Sequence, residues 1–251
     1  MEFLTTRDEL RTIYKTPRPT DGPIRKELKA LDGHCRSFIG KSPFVLIGSS
    51  DGAGNADVTP KGDKPGFAAI LDDNTIAIPD RPGNNRLDTL ENIVRNPSVG
   101  LLFLIPGMNE TLRVNGDARI TVDAGLRGRL AVDGKEPQSV VVVSVKAAYM
   151  HCAKAFMRSD LWKPETWYDR ATLPTLGQII RDQLALAEAA GDIDRELDQD
   201  YRQTMWKPRA RFARTVPPCS TSLPFPAACA PPRPIRRCSR RWLKTRRPAA
   251  A

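Results

Sequence analysis

Residues 78–106, Ile78-Pro-Asp-Arg-Pro-Gly-Asn-Asn-Arg-Leu-Asp-Thr-Leu-Glu-Asn-Ile-Val-Arg-Asn-Pro-Ser-Val-Gly-Leu-Leu-Phe-Leu-Ile-Pro106, decide the fold. They read as a strand end, a polar turn, one short helix and a buried strand. Asn84 or Asn85 supplies the helix cap, and Leu87, Leu90, Ile93 and Val94 share one face of a helix that stops before Pro97. Val99–Ile105 is a continuous apolar run, the pattern of a strand buried on both sides. The turn gathers Arg81, Asn84, Asn85 and Arg86 at a helix N-terminus, where backbone N–H groups attract anions. A cation there opposes the helix macrodipole unless an anion joins it, and the arginine fork matches phosphate oxygens. A phosphate-bearing ligand is the natural candidate.

The flanks supply further strands. Phe44-Val-Leu-Ile47 reads as a buried strand, Asp51-Gly-Ala-Gly54 as a hairpin turn and Asp57-Val-Thr-Pro-Lys61 as the return strand, with Pro60 marking an edge or bulge. Phe67–Leu71 and Thr75–Ile78 form a hairpin around Asp72-Asp-Asn74. Thr111–Thr121 alternates, and a bulge near Gly116 is expected in order to bring Leu112, Val114 and Ile120 to one face. Val140–Val145 completes the set. At least six short strands at hairpin spacing with one interrupting helix predict a mainly β fold, a small closed or split antiparallel barrel. Ile24, Leu28 and Leu31 predict a short amphipathic helix before it. Two helices are expected after it, around Leu176–Leu186 and Ile193–Tyr201.

The net charge of +10 belongs to one end of the chain. Of the 39 Lys and Arg, 12 fall after Trp206, where there is no acidic residue; the preceding 206 residues hold 27 cations against 29 anions. Residues 1–206 are therefore expected to form the barrel domain, with helices over about 160–206. Residues 207–251, rich in Pro, Arg, Ala and Ser, are expected to be a disordered tail. Such a tail could bind nucleic acid; its bias also resembles a GC-rich frame read out of register, and the second reading is favoured. The first residues lack the basic start and apolar core of a signal peptide, and no apolar run reaches membrane-spanning length. A cytoplasmic protein with no membrane partner is expected. Cys35 and Cys152 are too isolated for a disulfide framework, and His34-Cys35 with His151-Cys152 makes a poor metal site because adjacent strand residues face opposite ways.

In their order along the chain, Thr59-Pro-Lys-Gly-Asp63, Ile78–Asp88, Arg95-Asn-Pro97, Val99-Gly-Leu-Leu-Phe103, Glu110-Thr-Leu-Arg-Val-Asn-Gly116 and His151-Cys-Ala-Lys-Ala155 resemble the pyridoxamine 5′-phosphate oxidase-like family of flavin-binding split barrels, and more closely an uncharacterised bacterial subgroup of it. The resemblance covers about residues 20 to 206. It implies an antiparallel split β-barrel of the FMN-binding type, and a homodimer with FMN at the interface. Carried over by position, Asn85 and Arg86 match the basic pair that holds the FMN phosphate, although the first is Asn here, with Asn84 beside them. Lys61 ends the strand along the flavin, and Ile78 and Pro79 match the strand end that touches it. Thr111 falls where the family uses a Gln, so that contact is shorter or absent.

Lys61 and Arg113 are candidates for neutralising charge on the flavin ring, which would stabilise its reduced anion. For Arg113 a cross-strand salt bridge is an equal alternative. His151, Lys154 and Arg158, if helical, would share a face. His151 and Lys154 are the catalytic candidates, as proton donor and as anchor for an anionic substrate. The reading is an FMN-dependent oxidoreductase passing a hydride through flavin N5 to or from a small molecule, with NAD(P)H a candidate reductant. Two alternatives stand beside it: a non-catalytic flavin-, deazaflavin- or tetrapyrrole-binding barrel, and nucleic-acid binding through the tail.

Overall fold

The alternation in Phe44–Ser50 and Ser98–Leu104 sends Val45, Ile47, Val99, Leu101 and Phe103 to one side, all buried, and that shared face is the seed of the core. The computed structural model describes residues 1–205; the expectations for residues 207–251 lie outside them. In chain order the elements are α1 (Arg7–Ile13), α2 (Gly22–Arg25), α3 (Gly33–Lys41), β1 (Phe44–Ser50), β2 (Ala56–Gly62), β3 (Ala69–Asp72), β4 (Thr75–Asp80), α4 (Asp88–Arg95), β5 (Ser98–Leu104), β6 (Thr111–Thr121), α5 (Ala124–Arg129), β7 (Ser139–His151), α6 (Lys154–Ser159), α7 (Leu176–Leu184) and α8 (Ala190–Thr204). Two single 3-10 turns, Pro164–Thr166 and Arg170–Thr172, separate α6 from α7.

The seven strands form one antiparallel sheet in the order β2-β1-β5-β6-β7-β4-β3. Side chains from β1 and β3 through β7 meet with Cys35, Phe38 and Ile39 of α3 in a single cluster, so the sheet curls around one interior. No ladder joins the edge strands β2 and β3, which leaves the barrel split rather than closed. This is the antiparallel split barrel with helices that the strand pattern and the resemblance predict.

Several elements depart from expectation. The helix expected over residues 23–31 is only the single turn α2, because Leu28 instead exchanges two backbone hydrogen bonds of 2.9 Å with Ala148 of β7. β5 is fully buried on one face and half-buried on the other, not buried on both. The bulge at Gly116 is present, but Leu112, Val114 and Ile120 have the same parity and share a face without it. Asn115 pairs with Ala147 and Gly116 with Val145, so the extra residue is Lys146, and the bulge turns over β7. Before it Val141, Val143 and Val145 enter the core; after it Ala148 does.

Helix α4 is the largest departure. Of its four expected core residues only Ile93 is buried, while Leu87 and Val94 are 47% and 76% exposed and Leu90 is half-buried. The inward stripe is polar. The Thr89 hydroxyl donates to Asp57, the Asn92 amide to Ser49 Oγ at 3.2 Å, and the Asn96 amide to Ser50 Oγ at 3.0 Å. Residues 89, 92 and 96 lie on one helical face. Because buried polar groups cost stability unless paired, this matched set of partners on β1 and β2 fixes the helix orientation against its apolar residues.

The α7–α8 hairpin rests on a close backbone approach. Gly177 donates its N–H to Asp194 at 2.7 Å, and a methyl group added at Gly177 would lie 2.4 Å from the Ala190 carbonyl oxygen. The expected result of Gly177→Ala is local: faster amide hydrogen exchange over residues 176–204 with protection of the sheet retained.

Burial pushes the Cys35 thiol up to about 11, whereas Cys152 is exposed. A native chain at pH 8 is expected to take an alkylating reagent at Cys152 and not at Cys35, read by peptide mass mapping. Between pH about 9 and about 11 the unfolded chain has released the Cys35 proton that the folded chain keeps, so stability falls as pH rises through that window. Denaturant titrations of Cys35→Ala should lack this part of the slope.

Candidate functional site

A cleft of about 520 Å³ opens where β2, the end of β4 and the start of α4 converge. Its walls include Thr59–Gly62, Phe67, Pro79–Leu87, Leu90, Gln138 and Tyr201. Lys61, Pro79, Asn84, Asn85 and Arg86 are thus brought together around one space.

The turn from Arg81 to Leu87 has no regular structure, and its shape comes from asparagines. Asn84 Oδ1 accepts from the Arg86 N–H at 3.0 Å, and Asn85 sits at φ +57, a left-handed conformation that Asn tolerates better than most residues. The helix then begins two or three residues later than expected. Leu87 is its N-cap and makes no side-chain cap bond, so neither Asn84 nor Asn85 caps it. The start of α4 therefore carries N–H groups that no capping side chain satisfies.

The cations of the cleft differ in their attachments. Lys61 Nζ donates to Asp80 at 2.7 Å, joining the ends of β2 and β4 within a largely buried ion pair. Arg81 donates to Asp63 at 2.8 Å and to the Leu130 carbonyl at 2.8 Å, so its guanidinium ties the turn to the body of the fold. Arg86 is 77% exposed and donates through Nε to Asp88. The Asp88 hydrogen bond and charge hold the Arg86 guanidinium above its usual pKa, keeping it cationic. Among the described residues its two terminal nitrogens make no hydrogen bond, and the Asp88 and Asp57 charges lie near the guanidinium.

The remaining candidates lie elsewhere within one chain. Ile78 is wholly buried and its side chain belongs to the core. Thr111 is buried and pairs in register with His151. Arg113 donates to the Tyr149 hydroxyl at 3.2 Å, with its guanidinium carbon 5.7 Å from the ring centre, so the cation meets an aromatic residue rather than a salt-bridge partner. His151 is the last residue of β7 and its Nδ1 lies 3.4 Å from the Cys152 carbonyl oxygen. Lys154 starts α6 and Arg158 lies near its end, both exposed. His151 therefore does not share a helical face with them. Thr111, Arg113, Tyr149 and His151 form a second group along β6 and β7, outside the cleft.

Sequence reasoning missed Asp80, Phe67, Gln138 and Tyr201 as cleft residues. Asp80 was legible in principle, being the acid between Pro79 and the turn. Tyr201 carries no such sign, since its place depends on how α8 packs.

A family model described as pyridoxamine 5′-phosphate oxidase matches residues 31–152. No protein of curated function matches the chain. Solved structures that resemble it include HupZ of group A Streptococcus, 15% identical with a TM-score of 0.39, covering 47% of this chain and 92% of that one. A candidate pyridoxamine 5′-phosphate oxidase from Lactobacillus delbrueckii is 20% identical, with a TM-score of 0.40 and coverage of 49% and 98%. An FAD-binding protein from Mesorhizobium loti is 16% identical, with a TM-score of 0.35 and coverage of 50% and 97%. The family match runs from α3 to just past β7 and so takes in every strand of the sheet and the cleft turn; over residues 31–152 the chain carries a domain of the pyridoxamine 5′-phosphate oxidase-like family.

Proposed function

We propose that the protein binds FMN in the cleft at the start of α4 and, as a homodimer, serves as an FMN-dependent oxidoreductase on a small substrate. Members of the family bind flavins. The observation that carries the reading is the donor set at one end of the cleft: the free terminal nitrogens of Arg86, the amides of Asn84 and Asn85, and the uncapped start of α4. These suit a phosphate dianion, because charge-assisted hydrogen bonds from Arg are stronger than neutral ones. Pro60, Phe67, Pro79 and Leu87 offer apolar walls for a flat ring system, and the volume lies within the ~300–1,000 Å³ typical of cofactor pockets.

When bound, FMN would supply hydride transfer at its N5 atom. The chain's own residues bind and orient. Arg86 and Asn85 hold the phosphate, Pro60 and Pro79 exclude water with rigid rings, and Asp80 fixes the Lys61 ammonium at the strand end. His151 and Lys154 reach a cleft only if a second copy supplies them.

The outer face of the sheet supports such a pairing. Pro60, Leu46, Leu102, Arg113 and Tyr149 form one cross-strand row, Val58, Gly48, Gly100 and Asn115 the next, and Phe44 with Leu104 a third. This face is mostly apolar, and the two glycines let another backbone approach closely.

Titration of the purified full chain with FMN, followed by flavin fluorescence, tests the reading. Saturable quenching with an oxidised-flavin spectrum is expected; a protein that takes up no FMN overturns it. NAD(P)H oxidation in the presence of an electron acceptor then distinguishes an oxidoreductase from a flavin-binding protein without turnover. Competition by a deazaflavin tests the nearest alternative ligand.

A further inference from the structure

Along α8, Ile193, Leu197 and Tyr201 recur at four-residue spacing and share one face of the helix. In that order they are buried, half-buried and 47% exposed. The helix is anchored near the buried end. Asp194 accepts from the Gly177 N–H at 2.7 Å, and hydrogen bonds from Thr175 and Gly177 hold its carboxyl below the ordinary carboxylate range. The stripe therefore starts in packed surroundings and ends at the cleft.

Tyr201 differs from every other described residue of the cleft wall in two ways. It alone lies outside residues 31–152, the segment that the family model matches. It is also the one tyrosine or tryptophan among the described wall residues, where Phe67 is the other aromatic. Together with Leu176 and Leu197, Tyr201 lines an adjoining groove of about 360 Å³, so open space lies against it on the side of the groove as well. An aromatic ring left partly wet at the mouth of a cleft suits a residue whose apolar body meets a ligand and whose hydroxyl meets water.

We propose that Tyr201 is a ligand-contact residue, which covers the flat ring system of the bound flavin, and that the clamped α7–α8 hairpin holds it in place. This rests on the flavin reading above. The phosphate already has its donors at the start of α4, and an uncharged ring adds little to them. A planar conjugated ligand, by contrast, gains from a tyrosine face whether or not it carries a phosphate. Tyr201 therefore sets affinity for the ring, and Arg86 affinity for the phosphate.

The test titrates the full chain and its Tyr201→Ala and Tyr201→Phe variants with FMN and with riboflavin. Tyr201→Ala is expected to weaken both ligands by a similar factor, roughly five- to a hundredfold, the scale of removing an aromatic side chain stacked on a heterocyclic base. Tyr201→Phe should retain most of the affinity. Emission from the bound flavin separates contact from a merely structural role. A phenol touching an excited flavin lends it an electron and takes it back, which quenches emission, whereas a phenyl ring is too hard to oxidise. Bound FMN should accordingly be dark in the wild-type chain, and Tyr201→Phe should raise its emission and lifetime severalfold at saturation. Emission that stays quenched in Tyr201→Phe overturns the contact and spares the flavin site, as does a Tyr201→Ala chain that binds both ligands like the wild type. A loss confined to FMN overturns it too, because the residue then acts on the phosphate. A wild-type chain that takes up neither flavin overturns both this contact and the reading on which it rests.

Discussion

Gly116→Ala is expected to destabilise the fold by about 3 kcal/mol or more, a drop in Tm of roughly 6–12 °C for a domain of this size. The reason is local and steric. A Cβ at position 116 would lie 2.2 Å from the Ser144 carbonyl oxygen, with the Ser144 carbonyl carbon at 3.0 Å and Val143 Cγ1 at 3.1 Å. The first two are backbone atoms of the paired strand, which no rotamer change can move aside. Relief requires β6 and β7 to separate where their register slips, at the centre of the longest ladder in the sheet. Gly100→Ala is the control. It lies in the neighbouring strand β5, yet its added methyl would find nothing nearer than 3.6 Å, and its Tm should stay within a few degrees of the parent. Thermal unfolding of the two variants side by side makes the comparison; a Gly116→Ala chain as stable as Gly100→Ala would show that the ladder can open at that point without cost.

The same glycine shows how far the sequence could be read. A glycine within an alternating strand is a recognisable sign of a bulge, and one is found there. Which strand carries the extra residue was not legible, because that depends on the partner, and Lys146 has nothing in its neighbourhood to mark it. Most strand positions were readable from alternation or apolar runs, but β7 extends past the expected Val140–Val145 to His151, because its second half is held by pairing with β6 and not marked by a local pattern. Helix α4 was misread for a physical reason: hydrophobic periodicity assumes that apolar residues face the chain's own interior. Thr89, Asn92 and Asn96 form an equally regular stripe, and only the presence of Asp57, Ser49 and Ser50 opposite them makes the polar face the buried one. In the candidate site, the contiguous turn Asn84–Arg86 could be found from sequence, and so could Lys61 and Pro79 once the family resemblance was seen. Asp80 as the partner of Lys61, and the separation of Thr111, Arg113 and His151 from the cleft, follow from strand order and register that no local pattern encodes.

The strongest functional prediction concerns Arg86 and Asp88, whose substitutions should move FMN affinity in opposite directions. Arg86→Ala is expected to weaken binding roughly ten- to hundredfold, the scale of losing a hydrogen bond to a charged group. Little loss of stability should accompany it, because the side chain is mostly exposed and its one hydrogen bond from the guanidinium among the described residues is to Asp88. Asp88 has the contrary role. Its carboxylate engages Arg86 Nε and places a negative charge beside the proposed phosphate site, so it keeps the guanidinium cationic and oriented while repelling the ligand. If repulsion dominates over orientation, Asp88→Asn tightens FMN severalfold; the amide still accepts from Nε, so the orientation survives and tightening is the expected result. Raising the ionic strength should shrink the effect of Asp88→Asn, since a charge at an exposed position is screened within about a Debye length. Riboflavin supplies the decisive comparison, because it presents the same ring without the phosphate. Both substitutions should leave riboflavin affinity nearly unchanged, and an equal loss of FMN and riboflavin binding in Arg86→Ala would move the phosphate away from the start of α4.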